Sequence, residues 1–285
     1  MTEISKVSVH GGHSGEFCNH AADTLEEVIR AYIAQDFQWV GITEHAPAYS
    51  DDLLYTDQKE AGLTPEFLLA RFGAYMRECR RLQGKYRDSI TIFAAMEIET
   101  YRDYHQFVPH LCRLFEPDYI VGSIHFVNDI NFDYSPQQYA KAVAASGGID
   151  ELYEAYFDLQ YEMVRCLQPA VVGHFDIIRI FDRGYRGRLR KPAIAAKVER
   201  NLKLIAELRL IMDYNLRALY KGADEPYITE SILNRAHELG IAVVPGDDSH
   251  GVATVGNYME RGISNLQRHG FSPPWQTPAV RPEMK

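Results

Sequence analysis

Cysteine is scarce in this chain. The 285 residues hold 4, Cys18, Cys79, Cys112 and Cys166, scattered and without a C-x-x-C pair. That argues against a disulfide-stapled secreted scaffold and against a cysteine-built metal site. No apolar run reaches the roughly 18 residues a membrane-spanning helix needs. The opening MTEISKVSVH has no basic region followed by an apolar core, so no secretory leader is expected. Positive charge is in deficit. Lys and Arg number 30 against 39 Asp and Glu, a net charge of −9 with His neutral. That balance disfavours tight binding to a nucleic-acid backbone. Low-complexity segments and sequence repeats are also missing. These absences point to a soluble, cytoplasmic protein of no evident oligomeric state.

Short Val- and Ile-rich runs alternate with longer helical segments. The runs are KVSV (6–9), WVGIT (39–43), ITIFAAM (90–96), DYIVGSI (118–124), PAVVG (169–173), LRLIMDY (208–214) and GIAVVPG (240–246). Strands buried on both faces read this way. Between them, 23–36 places Leu25, Val28, Ile29 and Ile33 on one helical face, with Asp23 or Thr24 as N-cap. Segment 64–86 opens with a cap residue and Pro. Further helices are expected at 149–167, 191–208 and 228–240. Alternation of this kind predicts an α/β fold with parallel strands and outer helices. Seven strands suit a closed or nearly closed barrel, a size for which about 250 residues are typical; an open doubly wound sheet is the rival. One barrel domain is expected over 1–285, with a Pro-rich tail from about 271 that packs outside or frays.

The run ends carry the chemistry. KVSV is followed by His10, WVGIT by Glu44 and His45, ITIFAAM by Glu97, DYIVGSI by His125, PAVVG by His174, and GIAVVPG by Asp247, Asp248 and His250. Only LRLIMDY delivers none. In a parallel barrel these ends share one face, where active sites form. His13 and His20 lie in the loop after the first run and can reach the same face. Each residue alone has an ordinary reading as a hydrogen-bonded rim residue; the conjunction favours a metal centre. Nitrogen and oxygen donors suit Zn, Mn or Fe, and so many donors suit two or three divalent ions.

In order, HGGHSGEFCNH (10–20), TEH (43–45), AAMEIE (94–99), GSIH (122–125), GHFD (173–176) and DSH (248–250) resemble the signature of the polymerase and histidinol phosphatase (PHP) family of metal-dependent phosphoesterases. The text around them is closer to its histidinol-phosphatase branch. The resemblance implies a distorted (β/α)7 TIM-like barrel with a trinuclear centre. Carried over position by position, it names His10, His13, His20, His45, Glu97, His125, His174, Asp248 and His250 as ligands, with Glu97 bridging. Two departures stand out. The first pair reads H-x-x-H where the family has H-x-H, so either a bulge at Gly11 and Gly12 re-aims His13 or one of His10 and His13 is not a ligand. After IMDYN, where the branch has an Arg facing phosphate, this chain has Tyr220, and Arg217 or Lys221 could supply the charge.

The implied reaction is hydrolysis of a small phosphomonoester by a metal-bridging hydroxide, at a centre built on Glu97, His174 and Asp248. L-histidinol phosphate, an intermediate of histidine biosynthesis, is the leading substrate. The alternatives are another phosphate ester (a sugar, a nucleotide or a nucleic-acid end) and a non-catalytic metal-binding domain. Arg179 is the first choice for a phosphate contact, then Arg217 and Lys221; Arg179 could instead pair with Asp176 or Asp182. Asp247 is a candidate partner of a ligand imidazole, or a helix cap. Asp103 and His105 are candidates for the pocket wall, or a plain loop.

Overall fold

The computed structural model describes residues 5–280. Its strands are β1 (Lys6–Ser8), β2 (Phe37–Ile42), β3 (Thr91–Ala94), β4 (Met96–Ile98), β5 (Ile120–Gly122), β6 (Phe126–Val127), β7 (Ile130–Asn131), β8 (Val171–Val172), β9 (Ile211–Asn215) and β10 (Ala242–Gly246). All seven predicted runs contribute a strand. The third run yields two, because the chain changes neighbour at Ala95. The Ala95 N–H still donates to the Ile42 carbonyl of β2 (2.8 Å), whereas that of Met96 turns to the Tyr119 carbonyl beside β5 (3.2 Å).

Parallel ladders run β1–β2–β3 and β4–β5–β8–β9–β10. Backbone bonds join them into a ring. On one side Glu97 N–H donates to the Glu44 carbonyl (3.0 Å) and Ala46 N–H to that of Glu97 (2.7 Å). On the other, Val9 N–H donates to the Pro245 carbonyl (2.9 Å) and Asp248 N–H to that of His10 (2.9 Å). An open doubly wound sheet would leave β1 and β10 as edges; here they bond to each other. The result is a distorted parallel barrel whose strands all end on one rim.

Helices form where the periodicity places them: Leu25–Ala34, Pro65–Tyr86, Ile149–Leu167, Pro192–Glu207 and Glu230–Glu238. The first shows how local chemistry sets a boundary. The Thr24 side chain accepts from Glu27 N–H while Glu27 receives the Thr24 N–H, a capping box. Leu25, Val28, Ile29 and Tyr32 are then fully buried against the barrel, each apolar side chain contributing about 1.5–3 kcal/mol. Helices at Tyr104–Phe115, Pro136–Ser146 and Met259–Arg268 were not anticipated. The first carries Pro109 inside it, which reads in a sequence as a breaker.

The antiparallel hairpin β6–β7 was also unexpected. Asn128 and Asp129 turn it with φ of 53° and 56°, the left-handed pair that two-residue hairpins require. No helix among the described residues is long and apolar enough to cross a membrane. Trp275 anchors the Pro-rich tail: its side chain is buried and its indole N–H donates to the Ser5 carbonyl (2.8 Å).

Candidate metal centre

The carboxyl-terminal rim gathers the predicted donors around Glu97, which is 1% exposed. Its Oε1 lies 3.0 Å from His125 Nε2 and 2.9 Å from His174 Nε2. Its Oε2 lies 3.0 Å from His45 Nδ1, 3.4 Å from His10 Nε2 and 3.9 Å from His13 Nε2. One carboxylate therefore faces five imidazoles, the position of a bridging ligand. Burial works against its charge, but His10, His45 and His125 outweigh that and hold the carboxyl well below its usual range.

Donor atoms fall into overlapping groups small enough to share an ion. One holds His10, His13 and Glu97, another His20, His45 and His250, and another His13, Asp248 and His250. His125 and His174 meet on Glu97 Oε1. All nine predicted ligands are thus brought to one place. Cys18, buried, also comes within reach of His13 and His45, a thiol outside the predicted set.

The H-x-x-H spacing is resolved without the expected bulge in the ladder. β1 ends at Ser8, and a bend at Val9 and His10 carries the chain onward. Gly11 and Gly12 then thread between β2 and the loop after β10. A Cβ on Gly11 would lie 2.4 Å from the Gly41 carbonyl oxygen, and one on Gly12 2.6 Å from Val28. That close approach, held by Gly11 N–H to Gly41 O (2.9 Å) and His13 N–H to Ser249 O (2.7 Å), lets both rings face Glu97.

A ring of acceptors surrounds the donors, and sequence reading missed nearly all of it. His10 Nδ1 donates to Asp213 (2.9 Å), His125 Nδ1 to Asp133 (2.8 Å) and His250 Nδ1 to the Asp248 carbonyl (3.0 Å). His13 Nδ1 faces Glu44 (3.4 Å), His20 Nδ1 faces Asp57 (3.5 Å), and His45 Nδ1 lies 3.2 Å from Glu99. For His10, His125 and His250 the hydrogen-bonded acceptor on Nδ1 fixes the tautomer and leaves Nε2 for a cation, whereas His45 turns Nδ1 itself to Glu97. Asp213 lies in LRLIMDY, the run without a ligand of its own. Gly246 makes room for it, since a Cβ there would meet Asp213 Oδ1 at 2.0 Å. Asp248 takes a left-handed φ of 45°, a conformation Asp tolerates better than most residues.

The donor set fits a multinuclear centre on its own evidence. Buried atoms with no hydrogen-bond partner concentrate here: His10 Nε2, both nitrogens of His13, Glu44 Oε2, His45 Nδ1 and His174 Nδ1. Leaving such a group unsatisfied costs about 1–3 kcal/mol, and divalent cations between imidazole and carboxylate remove that cost.

Four candidates lie elsewhere. Arg179, predicted to contact phosphate, does not line this pocket. Its guanidinium donates to Asp176 (3.2 Å) and to the Glu225 (2.9 Å) and Pro226 carbonyls, and lies between the rings of Tyr185 and Tyr227. The pairing with Asp176 is a buried one; the short 3-10 turn Ile177–Arg179 puts residues three apart on one side, and Arg179 does not reach the pocket over the donor side chains. Asp247 neither faces a ligand imidazole nor caps a helix. It accepts from Ser8 Oγ (2.5 Å), Tyr32 OH (2.9 Å) and Gly256 N–H (2.8 Å), and burial pushes its carboxyl up to about 6. Asp247→Ala would leave the Gly256 N–H unpartnered, while Ser8 keeps the His10 carbonyl (2.9 Å) and Tyr32 keeps Ser249 Oγ (2.9 Å), so a loss of about 1–3 kcal/mol is expected in denaturant unfolding, with metal content retained in the folded fraction. Asp103 and His105 are exposed, at the start of the helix Tyr104–Phe115.

Arg217 and Lys221 do line the pocket, about 230 Å³, that opens over the ligands, together with Tyr55, Asn131, Asp133 and Tyr134. Arg217 donates to the Asp248 carbonyl (3.1 Å). Lys221 is exposed, and its ammonium makes no hydrogen bond or ion pair among the described residues. A second depression of equal volume, lined by Arg261, Arg268 and His269, contains none of the nine donors.

A parallel barrel that collects nitrogen and oxygen donors for several cations at its carboxyl-terminal rim is the architecture of a metal-dependent hydrolase. Residues 11–217 match the family model of the PHP domain, and the chain belongs to the PHP family. It is 37% identical over 270 residues to the probable histidinol-phosphatase of Schizosaccharomyces pombe, covering 93% of this chain and 87% of that one. The histidinol-phosphatase of Saccharomyces cerevisiae is 28% identical over 283 residues, with 87% and 84% covered. The crystal structure of a histidinol phosphate phosphatase from Lactococcus lactis, complexed with zinc, L-histidinol and phosphate, has the same fold. Its TM-score is 0.69 at 16% identity, with 95% of each chain covered.

Proposed function

We propose that this chain is a cytoplasmic histidinol-phosphatase. It hydrolyses L-histidinol phosphate to L-histidinol and inorganic phosphate, using two or three divalent ions (Zn, Mn or Fe) held by His10, His13, His20, His45, Glu97, His125, His174, Asp248 and His250. The observation that carries the reading is the position of Glu97, whose two oxygens face five imidazoles beneath a pocket with two cationic side chains. The histidinol-phosphatase relatives, matched over most of the chain, support the substrate.

When bound, divalent ions would acidify a water enough for it to attack phosphorus at neutral pH. The chain's own groups do the rest. Glu97 places the donors around one point. Asp213, Asp133 and the Asp248 carbonyl hold His10, His125 and His250 with Nε2 inward. Arg217 and Lys221 balance the phosphate charge, which grows on the oxygens as the ester bond breaks. Burial of the floor excludes bulk water, so each of these interactions counts for more.

Phosphate release from L-histidinol phosphate, set against a panel of sugar and nucleotide phosphates, tests the reading; a preference for any of the others would replace the substrate. Arg217→Ala and Lys221→Ala are each expected to raise KM about tenfold, as charge-assisted contacts to phosphate are lost. Arg179→Ala is expected to lower the melting temperature and change KM less than either. A larger KM effect at Arg179 would return it to the phosphate site.

A further inference from the structure

One carboxylate in the pocket has an oxygen that nothing uses. Asp133 follows the hairpin β6–β7, pinned there by Phe132 N–H donating to the His125 carbonyl (3.1 Å). Its Oδ2 accepts from His125 Nδ1 (2.8 Å). Its Oδ1 makes no hydrogen bond among the described residues, and the side chain, 12% exposed, lines the pocket. The other acceptors that line the pocket have partners: Glu97 faces the imidazoles, Asp248 Oδ2 accepts from Asn215 (3.1 Å) and Asn131 Oδ1 accepts from Tyr134 N–H (3.1 Å). Glu99, whose Oε1 accepts from the Tyr55 hydroxyl and whose Oε2 is unpartnered, does not line it. Neither Arg217 nor Lys221 comes within ion-pair distance of Asp133 among the described residues, although Lys221 is near enough to help His125 hold its carboxyl below the usual range against burial. A small ligand entering here meets two cations suited to phosphate and one uncommitted anionic oxygen.

We propose that Asp133 is a specificity-determining residue that binds the protonated primary amine of an aminoalkyl phosphate through Oδ1. The inference rests on the phosphatase reading above and adds to it the group that recognises the non-phosphate end of the substrate. The placement is suitable. Asp133 and Glu97 face opposite nitrogens of the same imidazole, that of His125, so the free oxygen stands one ring away from the reacting centre. In L-histidinol phosphate the amine is borne on the carbon next to the esterified one, so a phosphate at the centre brings the ammonium toward that oxygen. An ammonium gains a charge-assisted bond there, stronger than any a neutral imidazole or hydroxyl could make. An alkyl phosphate without the amine leaves Oδ1 to water.

The test compares metal-loaded wild type and Asp133→Asn on three substrates: L-histidinol phosphate, its deamino analogue 3-(imidazol-4-yl)propyl phosphate, and p-nitrophenyl phosphate. Asn keeps an acceptor for His125 while removing the charge, and metal content is measured alongside. Wild type is expected to favour the amine over the deamino substrate by about 30-fold in kcat/KM. Asp133→Asn is expected to lower activity on all three substrates to a common extent through its weaker hold on His125, and by about a further 30-fold on the amine substrate alone, with Asp133→Glu recovering part of the preference. Equal loss on all three substrates, or a wild type indifferent to the amine, overturns the proposal and leaves Asp133 only its bond to His125. The wild-type comparison decides even if the variant does not fold. A wild type that cleaves p-nitrophenyl phosphate but not L-histidinol phosphate overturns the substrate reading, and this inference with it.

Discussion

Glu97→Gln is expected to lower kcat for phosphate release by about 10³-fold or more, with little change in folded secondary structure. Gln has nearly the shape of Glu but one donor in place of an acceptor, and no charge. In the native centre both Glu97 oxygens are acceptors, ringed by His10, His13, His45, His125 and His174. An amide NH₂ pointed at that ring cannot ligate a cation, and the charge that would offset bound cations is gone. The loss therefore belongs in kcat, and in the number of ions retained per chain, more than in KM. Steady-state kinetics with metal analysis of the same preparation checks it; full activity in Glu97→Gln would remove Glu97 from the centre.

Metal removal is the second large effect. Dialysis against a strong chelator is expected to abolish hydrolysis, and zinc, manganese or iron to restore it. The chelated protein is also expected to be less stable, because the buried nitrogens of His10 and His13 and the carboxylate oxygens around them lose their partners. Ligands present at 1,000 times their dissociation constant stabilise a fold by about 4 kcal/mol per site, and a chain of this size shifts by roughly 2–4 °C per kcal/mol. For two such sites the expected fall in melting temperature is about 15 °C or more, measured by differential scanning calorimetry with and without added metal. An unchanged melting temperature after verified metal loss would mean that the ions do not bear on the buried donors.

Much of this centre was legible in the sequence because the barrel makes it so. Parallel strands deliver the residues at their carboxyl ends to one rim, so His10, His45, Glu97, His125, His174 and Asp248, distant along the chain, could be read as neighbours. Helix positions were legible where a cap and an apolar face agreed, as at Thr24. The acceptor ring was not legible. Asp213, Asp133, Asp57 and Glu99 are ordinary carboxylates along the chain, and only the fold shows which one faces an Nδ1. The hairpin that presents Asp133 escaped notice because its strands are two residues each, too short for alternation to register. Arg179 misled for a related reason. Its distance from His174 is compatible with the pocket, but a 3-10 turn and a close pairing with Asp176 send it to the other side of the loop. The H-x-x-H pair was decided by packing, since the tight passage of Gly11 and Gly12 against β2 lies outside any period of two or three residues.

Anomalous scattering from crystals of the protein loaded with zinc gives the most direct test of the shared centre. Two or three peaks are expected within a few ångströms of Glu97, with His10, His13, His20, His45, His125, His174, His250 and Asp248 among the ligands. A single peak away from Glu97, or peaks whose ligands exclude it, would contradict the account.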